Sequence, residues 1–370
     1  MSNQTSRESV MRLAPPTLRM IAPMLALCAI AMAAPPRQNT PAHPAYFSIA
    51  TGTTGSSYFP LGSIIATILS HPTGSVRCDV ATACGPEGLV AVAVASQNAL
   101  ADVRDVTQGR ADSAFIPADI ANWAYNGTEI FKTDAPLKTL RAIARLYPEP
   151  VQLVVARGSG IKTLRDLKQH RVAGDVEGSA TSIEVQHILG AVRLTKRSLA
   201  WIDASPDKAA ELMRAKKLDA FFLIGPAPSD LVGGLINDSV ADLLALDAKQ
   251  LKSLTESSPY LVPFTIPAGS YTNVADTPTL AVGALWVVRA SVPADLIYQL
   301  TGALWDPSNR AILQRSSGVA ENMALEHALD GVGIPLHPGA ARFYLEKNML
   351  GLKRAATEAD APDPEPAKTR

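Results

Sequence analysis

Short apolar runs alternate with amphipathic stretches along most of this chain, separated by polar turns. The pattern is clearest over Phe47–Leu69, FSIATGTTGSSYFPLGSIIATIL. It predicts a strand, a Gly/Ser/Thr turn and a helix. Leu61, Ile64, Ile65, Ile68 and Leu69 fall at i, i+3, i+4, i+7 and i+8, one stripe for burial. Gly52 and Gly55 permit the sharp turn, and Thr53, Thr54, Ser56 and Ser57 are candidates to cap the helix start. Those N–H groups, with the positive end of the helix dipole, form a ready site for a carboxylate or phosphate. An ordinary capped βα turn has the same local sequence.

The alternation continues downstream. Leu89–Ala95 fits a buried parallel strand. Asn98–Gln108 is helical, with Leu100, Val103 and Val106 on one side and Gly109 as the stop. Asp112–Ile116 predicts a strand, and Ile120–Tyr125 a short helix ended by Asn126-Gly127. Leu140–Leu146 and Val151–Ala156 read as two strands flanking Tyr147-Pro148-Glu149-Pro150. Leu164–Gln169 is helical and Arg171–Gly174 a strand. Thr181-x-x-Glu184 reads as a capping box for a helix through Leu189, and Ser205-Pro206 starts another through Lys217. Leu218–Ile224 and Thr279–Val288 are strands, and the remainder is helical to about Asn348. Repeated βα units imply an α/β protein with mostly parallel sheets flanked by helices.

Composition adds compartment and excludes some partners. With 47% hydrophobic and 18% charged residues over 370 positions, the chain suits a globular protein of one or two domains. Lys+Arg and Asp+Glu balance at 34 each, so no field points to nucleic acid or an anionic membrane. Arg7, Arg12 and Arg19, an apolar run over Met20–Ala31 and Ala31-Met32-Ala33 read as a cleavable export signal over residues 1–33. The run is shorter than the roughly 20 residues that span a bilayer. An Ala/Pro-rich linker occupies 34–45, and the Pro-rich charged end over 351–370 reads as a disordered tail. Cys28 falls within the signal, leaving Cys78 and Cys84 as an even pair in an oxidising compartment. Fully extended, the intervening chain would hold their Cα atoms roughly 20 Å apart, so a bridge at about 5–6 Å needs a loop back. The six histidines are scattered, no metal spacing is present, and no cofactor-binding motif stands out.

A set of motifs in one order carries a resemblance: GTTGSSYFPLG, NWAYNGTEIF, LRAIARLYPEPVQLVVARGSGIKTLRDLK, LDAFFLIG, IPAGSY and ALDGVGIPLHPGAARFYLEKN. Together, over about Phe47–Asn348, they resemble the TAXI family of solute receptors that serve TRAP transporters. The resemblance implies a two-lobed periplasmic-binding-protein fold of type II with a ligand cleft between the lobes. Lobe 1 would comprise 46–140 and, on return, 281–350; lobe 2 would comprise 141–280. The chain would cross near Arg141–Pro150 and return near Asp276–Arg289. It also implies a periplasmic, monomeric receptor for a small organic anion (a dicarboxylate, 2-oxo acid or acidic amino acid), delivered to ion-gradient-driven TRAP permease subunits. It favours a Cys78–Cys84 bridge.

The same resemblance nominates ligand-binding positions. They are Thr53, Thr54, Gly55, Ser56, Ser57 and Tyr58 in the first turn, and Asn98 and Ala99. Ala118, Tyr147 and Glu149 follow, then Ser179, Ala180 and Thr181, and Gly225. Several depart from the family pattern: Ala99 replaces a cleft serine, and Asp102 replaces an asparagine near a helix start, where it would satisfy N–H groups. Pro117-Ala118 replaces Gln-Ser, and Pro226-Ala227 replaces Gly-Tyr. These losses lead to the expectation of a bulkier or less polar acid, because an unpartnered buried polar group costs about 1–3 kcal/mol. Arg145, Arg157 and Arg289 are alternative carboxylate partners, with ordinary salt bridges as their default role. Catalysis finds no support: there is no G-x-S-x-G or Walker loop, and Gly158–Thr163 only superficially resembles a P-loop. A ligand sensor docking on a membrane receptor and an ABC-type solute-binding protein are the alternatives.

Overall fold

A computed structural model describes residues 45–75, 85–316 and 318–350. The signal, most of the linker, the Cys78–Cys84 pair and the tail lie outside the described residues. The described residues form one compact unit.

The first βα unit forms as its pattern predicts. β1 (Ala45–Ala50) leads into α1 (Tyr58–Leu69), which buries Leu61, Ile65, Ile68 and Leu69. β2 (Leu89–Val94) lies parallel to β1 but at the sheet edge, with Val92 41% exposed. The expected buried strand is therefore half-solvated, and its alanines suit that position. α2 (Ala99–Gln108) is capped by Asn98, whose side chain accepts from Ala101 N at 2.9 Å, and is stopped by left-handed Gly109. β3 (Ser113–Pro117) runs straight into α3 (Ala118–Asn126).

The largest departure is β4, one strand over Leu140–Ala156 that continues through both prolines. Pro148 and Pro150 are accommodated opposite Gly283 and Ala281 of β10 (Thr277–Arg289), an antiparallel partner almost as long. The cross-strand register moves from Tyr147 opposite Ala284 to Arg145 opposite Leu285, so Leu146 is an extra residue in β4. This bulge reverses the alternation of side chains along the strand. Tyr147 and Glu149 share one face, while Arg145 joins Pro148 beside the opposite groove.

β4 joins the rest of the sheet. β5 (Arg171–Ala173), α4 (Ala180–Ala191), β6 (Ala200–Ile202), α5 (Pro206–Arg214) and β7 (Ala220–Ile224) follow. Next come α6 (Asp230–Asn237), β8 (Ala241–Leu243), α7 (Ala248–Ser257) and β9 (Leu261–Ile266), four elements that periodicity alone did not expose. The strand path is β2-β1-β3-β10-β4-β7-β5-β6, with β8 on β4 and β9 on β10. β1/β2, β1/β3, β5/β6 and β5/β7 are parallel, whereas every pair involving β4 or β10 is antiparallel, so the sheet is mixed.

A larger core runs from Ile49 and Leu61 across β4 to Val185 and Phe222. A smaller one lies under α5 and α6 around Phe221, Met213 and Leu235. The C-terminal helices are α8 (Ala294–Leu304), α9 (Pro307–Ser316) and α10 (Pro338–Glu346), with two 3-10 turns and irregular chain between α9 and α10 where continuous helix was expected.

Candidate functional site

Three helix starts converge on a cavity of about 230 Å³. Ser56, Ser57 and Tyr58 enter from α1, Pro117 and Asp119 from the β3–α3 junction, and Ala180 and Thr181 from α4. Glu149 and Val282 complete it from the middle of β4 and β10, where they lie opposite each other in register, and Ile224 from the end of β7. Placement at strand ends and helix starts is where open α/β sheets gather ligand sites.

The start of α1 differs from its sequence expectation. No side chain caps it. Ser56 Oγ donates back to the Thr51 and Thr53 carbonyls at 3.0 and 2.8 Å, and Ser57 Oγ meets Tyr147 OH at 2.9 Å. The first N–H groups of the helix thus keep their hydrogen-bonding capacity. Thr53, Thr54 and Gly55 are exposed and outside the cavity wall. At α4 the cap is Ser179, accepting from Ser182 N at 3.0 Å, two residues before the predicted Thr181. Glu184, assigned to a capping box, is instead 0% exposed, and neither carboxylate oxygen accepts a hydrogen bond.

The electrostatics are set by carboxyls. Glu149 is 8% exposed and accepts from Tyr58 OH at 2.9 Å; burial raises its pKa to about 7. Asp119 is 3% exposed, with one oxygen accepting Ile120 N at 2.7 Å. Burial first and then the charge of Glu184 raise its pKa to about 8. Tyr58 packs edge-on to Phe115 at 6.4 Å and to Tyr147 at 6.1 Å, an aromatic backing that fixes the phenols. Glu184 sits beyond the wall, approached by His187 Nδ1 at 3.7 Å; with Glu129 at 3.5 Å on the other ring nitrogen, these carboxylates raise the His187 pKa.

Of the nominated residues, Ser56, Ser57, Tyr58, Glu149, Ala180 and Thr181 come together at the cavity. Tyr147 and Ser179 support it from behind through the contacts just described. Asn98 and Ala99 lie at the start of α2, Ala118 is buried in α3, and the Gly225 carbonyl accepts from Gln152 Nε2 at 3.2 Å; none of these four lines the cavity. Asp102 does not reach its helix N–H groups either. Its carboxylate takes the Ser96 hydroxyl at 2.9 Å, and Ser96 accepts from Gly52 N, tying down the β1–α1 turn. Among the Ala and Pro departures only Pro117 is a wall, so the expectation of a bulkier acid loses its geometric basis. Arg157 pairs with Asp242 at 2.9 Å, Arg289 bonds Ser291 and the Val106 carbonyl, and Arg145 faces the other groove. Asp119, Ile224 and Val282 were not nominated. Only Asp119 had a signal, an acid inside the apolar stretch Ile116–Ala124.

A profile of the NMT1-like family matches residues 49–347. The chain belongs to the NMT1-like family. Among solved structures, a putative periplasmic sulfonate-binding protein SsuA of an ABC transporter from Methylobacillus flagellatus is 13% identical. That match covers 84% of this chain and 97% of that one at a TM-score of 0.51. A TctC solute-binding protein from Polaromonas is 17% identical over 84% of this chain and 100% of that one, with a TM-score of 0.44. The fold of this NMT1-like protein is that of periplasmic binding proteins. Among the described residues no helix is long and apolar enough to cross a membrane.

Proposed function

We propose that this protein is an extracytoplasmic solute receptor, exported by its N-terminal signal, that encloses a small organic solute between the starts of α1, α3 and α4. The observation that carries the reading is the convergence of those three helix starts on one small cavity beside the β4–β10 pair. In it, lobes 46–140 with 281–350 and 141–280 close about the crossing strands β4 and β10. The carboxylate of an organic acid would meet the uncapped N–H groups of α1. Membership of the TAXI type, and delivery by a monomeric receptor to a TRAP permease, rest on the ordered sequence motifs. Delivery to an ABC importer is a second reading, favoured by the sulfonate-binding protein that shares the fold. The role is non-catalytic in both: the receptor signals loading only through the different affinity of its open and closed shapes for solute.

Thermal melting against a panel of small organic solutes tests this. A solute at about 100 times its Kd adds roughly 2.7 kcal/mol of stability, a rise of several degrees. A selective rise supports the receptor reading, and a flat response to the panel contradicts it.

A further inference from the structure

Two charged side chains line the cavity, Asp119 and Glu149, and both are acids. Neither is paired with a Lys, Arg or His among the described residues, and a third acid, Glu184, is buried behind them with neither oxygen hydrogen-bonded and His187 Nδ1 3.7 Å away. Each lining carboxylate has one oxygen engaged, by Ile120 N or Tyr58 OH, and one with no hydrogen-bond donor among the described residues. Buried carboxylates without a counter-ion are strongly unfavourable, and groups kept in that condition in a cleft mark functional sites.

We propose that this cavity binds a protonated nitrogen between Asp119 and Glu149, so that its solute is a small amine and nitrogen-free dicarboxylates and oxo acids are rejected. The inference rests on the receptor reading of the cavity and narrows its ligand class. An ammonium brings three donors and no acceptor, matching the two free carboxylate oxygens. Tyr58, held by its edge contacts to Phe115 and Tyr147, lies in the same wall. Tyr58 OH is spent on Glu149 and Tyr147 OH on Ser57, so Tyr58 orients Glu149 and both phenols leave the nitrogen to the acids. Pro117, Ala180, Ile224 and Val282 supply the apolar part of the wall, beside the hydroxyls of Ser56, Ser57 and Thr181, and the volume falls below the usual 300–1,000 Å³ of ligand pockets, which limits the solute to a few carbons. A nitrogen-free dianion would bring like charge against both acids.

The titration of the site follows. Facing the two acids are Tyr58 from α1, Tyr147 from β4 and, behind the wall, Glu184 from α4; β3, β7 and β10 contribute no titratable group to the lining. Ionised, the acids attract the cation; protonated, they do not, so amine affinity falls as pH drops below about 8, where Asp119 takes up its proton, and further below about 7, where Glu149 does.

The test is isothermal titration of the purified protein with matched pairs at pH 8.5 and pH 6. The pairs are 4-aminobutanoate against butanoate, glutamate against 2-oxoglutarate, and putrescine against succinate. The expected result is that in at least one pair the nitrogen-bearing member binds about tenfold or more tightly. Its affinity falls about tenfold or more at pH 6 and equally in Asp119→Asn and Glu149→Gln. Because the wild-type pairs and their pH dependence are read without any substitution, a variant that does not fold leaves the test intact. Tighter binding of nitrogen-free members, or amine affinity unchanged in both folded variants, overturns the inference and leaves the receptor reading standing. Binding of no member removes both.

Discussion

Two regions on opposite faces of β4 bury charge in different ways. On one face Arg145, 6% exposed, reaches Asp330 at 3.4 Å and the His327 carbonyl at 3.5 Å, in a groove of about 780 Å³ rimmed by Glu321 and Glu326. On the other, Asp119 and Glu149 line a cavity less than a third that size with no cation beside them among the described residues. The larger groove holds its own counter-ion; the smaller cavity does not. Compensation within the chain is the mark of a structural charge, and its absence in a small cavity lined by buried acids is the mark of a site that waits for a ligand. The Leu146 bulge creates the contrast, since with regular alternation Arg145 would share a face with Tyr147 and Glu149.

The largest expected effect concerns pH. Asp119 and Glu149 have folded pKa values of about 8 and 7, against 3.8 and 4.5 in the absence of burial. The folded state therefore holds more protons between these limits, and stability of the ligand-free protein falls as pH rises from about 5 to 8, by roughly 6 kcal/mol. Urea denaturation across that range reads it. The slope flattens in an Asp119→Asn/Glu149→Gln double variant, and an unchanged slope there would erase the contrast between the two faces.

A somewhat smaller effect is expected at Arg145. Arg145→Ala deletes a buried cation and the stem that packs against Gly283, at a cost of about 2–3 kcal/mol. Asp330, 45% exposed, is left solvated, which keeps the loss below that of a fully buried pair. Solute affinity stays the same in titration; a lost affinity would place the site in the Arg145 groove instead. Tyr58→Phe removes the donor to Glu149 and costs about 1 kcal/mol, with a further rise of the Glu149 pKa seen as a shifted pH midpoint of binding. Smallest is Arg157→Ala: its partner Asp242 is half-exposed, and the change in melting corresponds to less than about 0.5 kcal/mol.

Local signals made part of this molecule legible. The apolar stripe of α1, the apolar side and Gly109 stop of α2, and the Asn126-Gly127 end of α3 depend on neighbours a few residues away, and all three helices form where they were read. β4 was divided because Pro148 and Pro150 look like breakers, and only its pairing with β10, over 120 residues distant, makes them tolerable. Ser179 rather than Thr181 caps α4, since capping residues compete and local pattern does not rank them. At the site, the Ser56–Tyr58 turn, Glu149 and Ala180–Thr181 were visible through motifs. Asp119 was not, because its position resembles an acid capping a helix start; what distinguishes it is burial and the nearness of Glu184, both products of tertiary packing.

The most direct measurement is a crystal structure of the protein with the tightest-binding small amine at pH 8.5. The prediction is one ligand nitrogen within about 3.2 Å of both the Asp119 and Glu149 carboxylates, in the cavity between α1, α3 and α4. A solute seated in the Arg145 groove, or one that turns carboxylate oxygens toward Asp119 and Glu149, would contradict it.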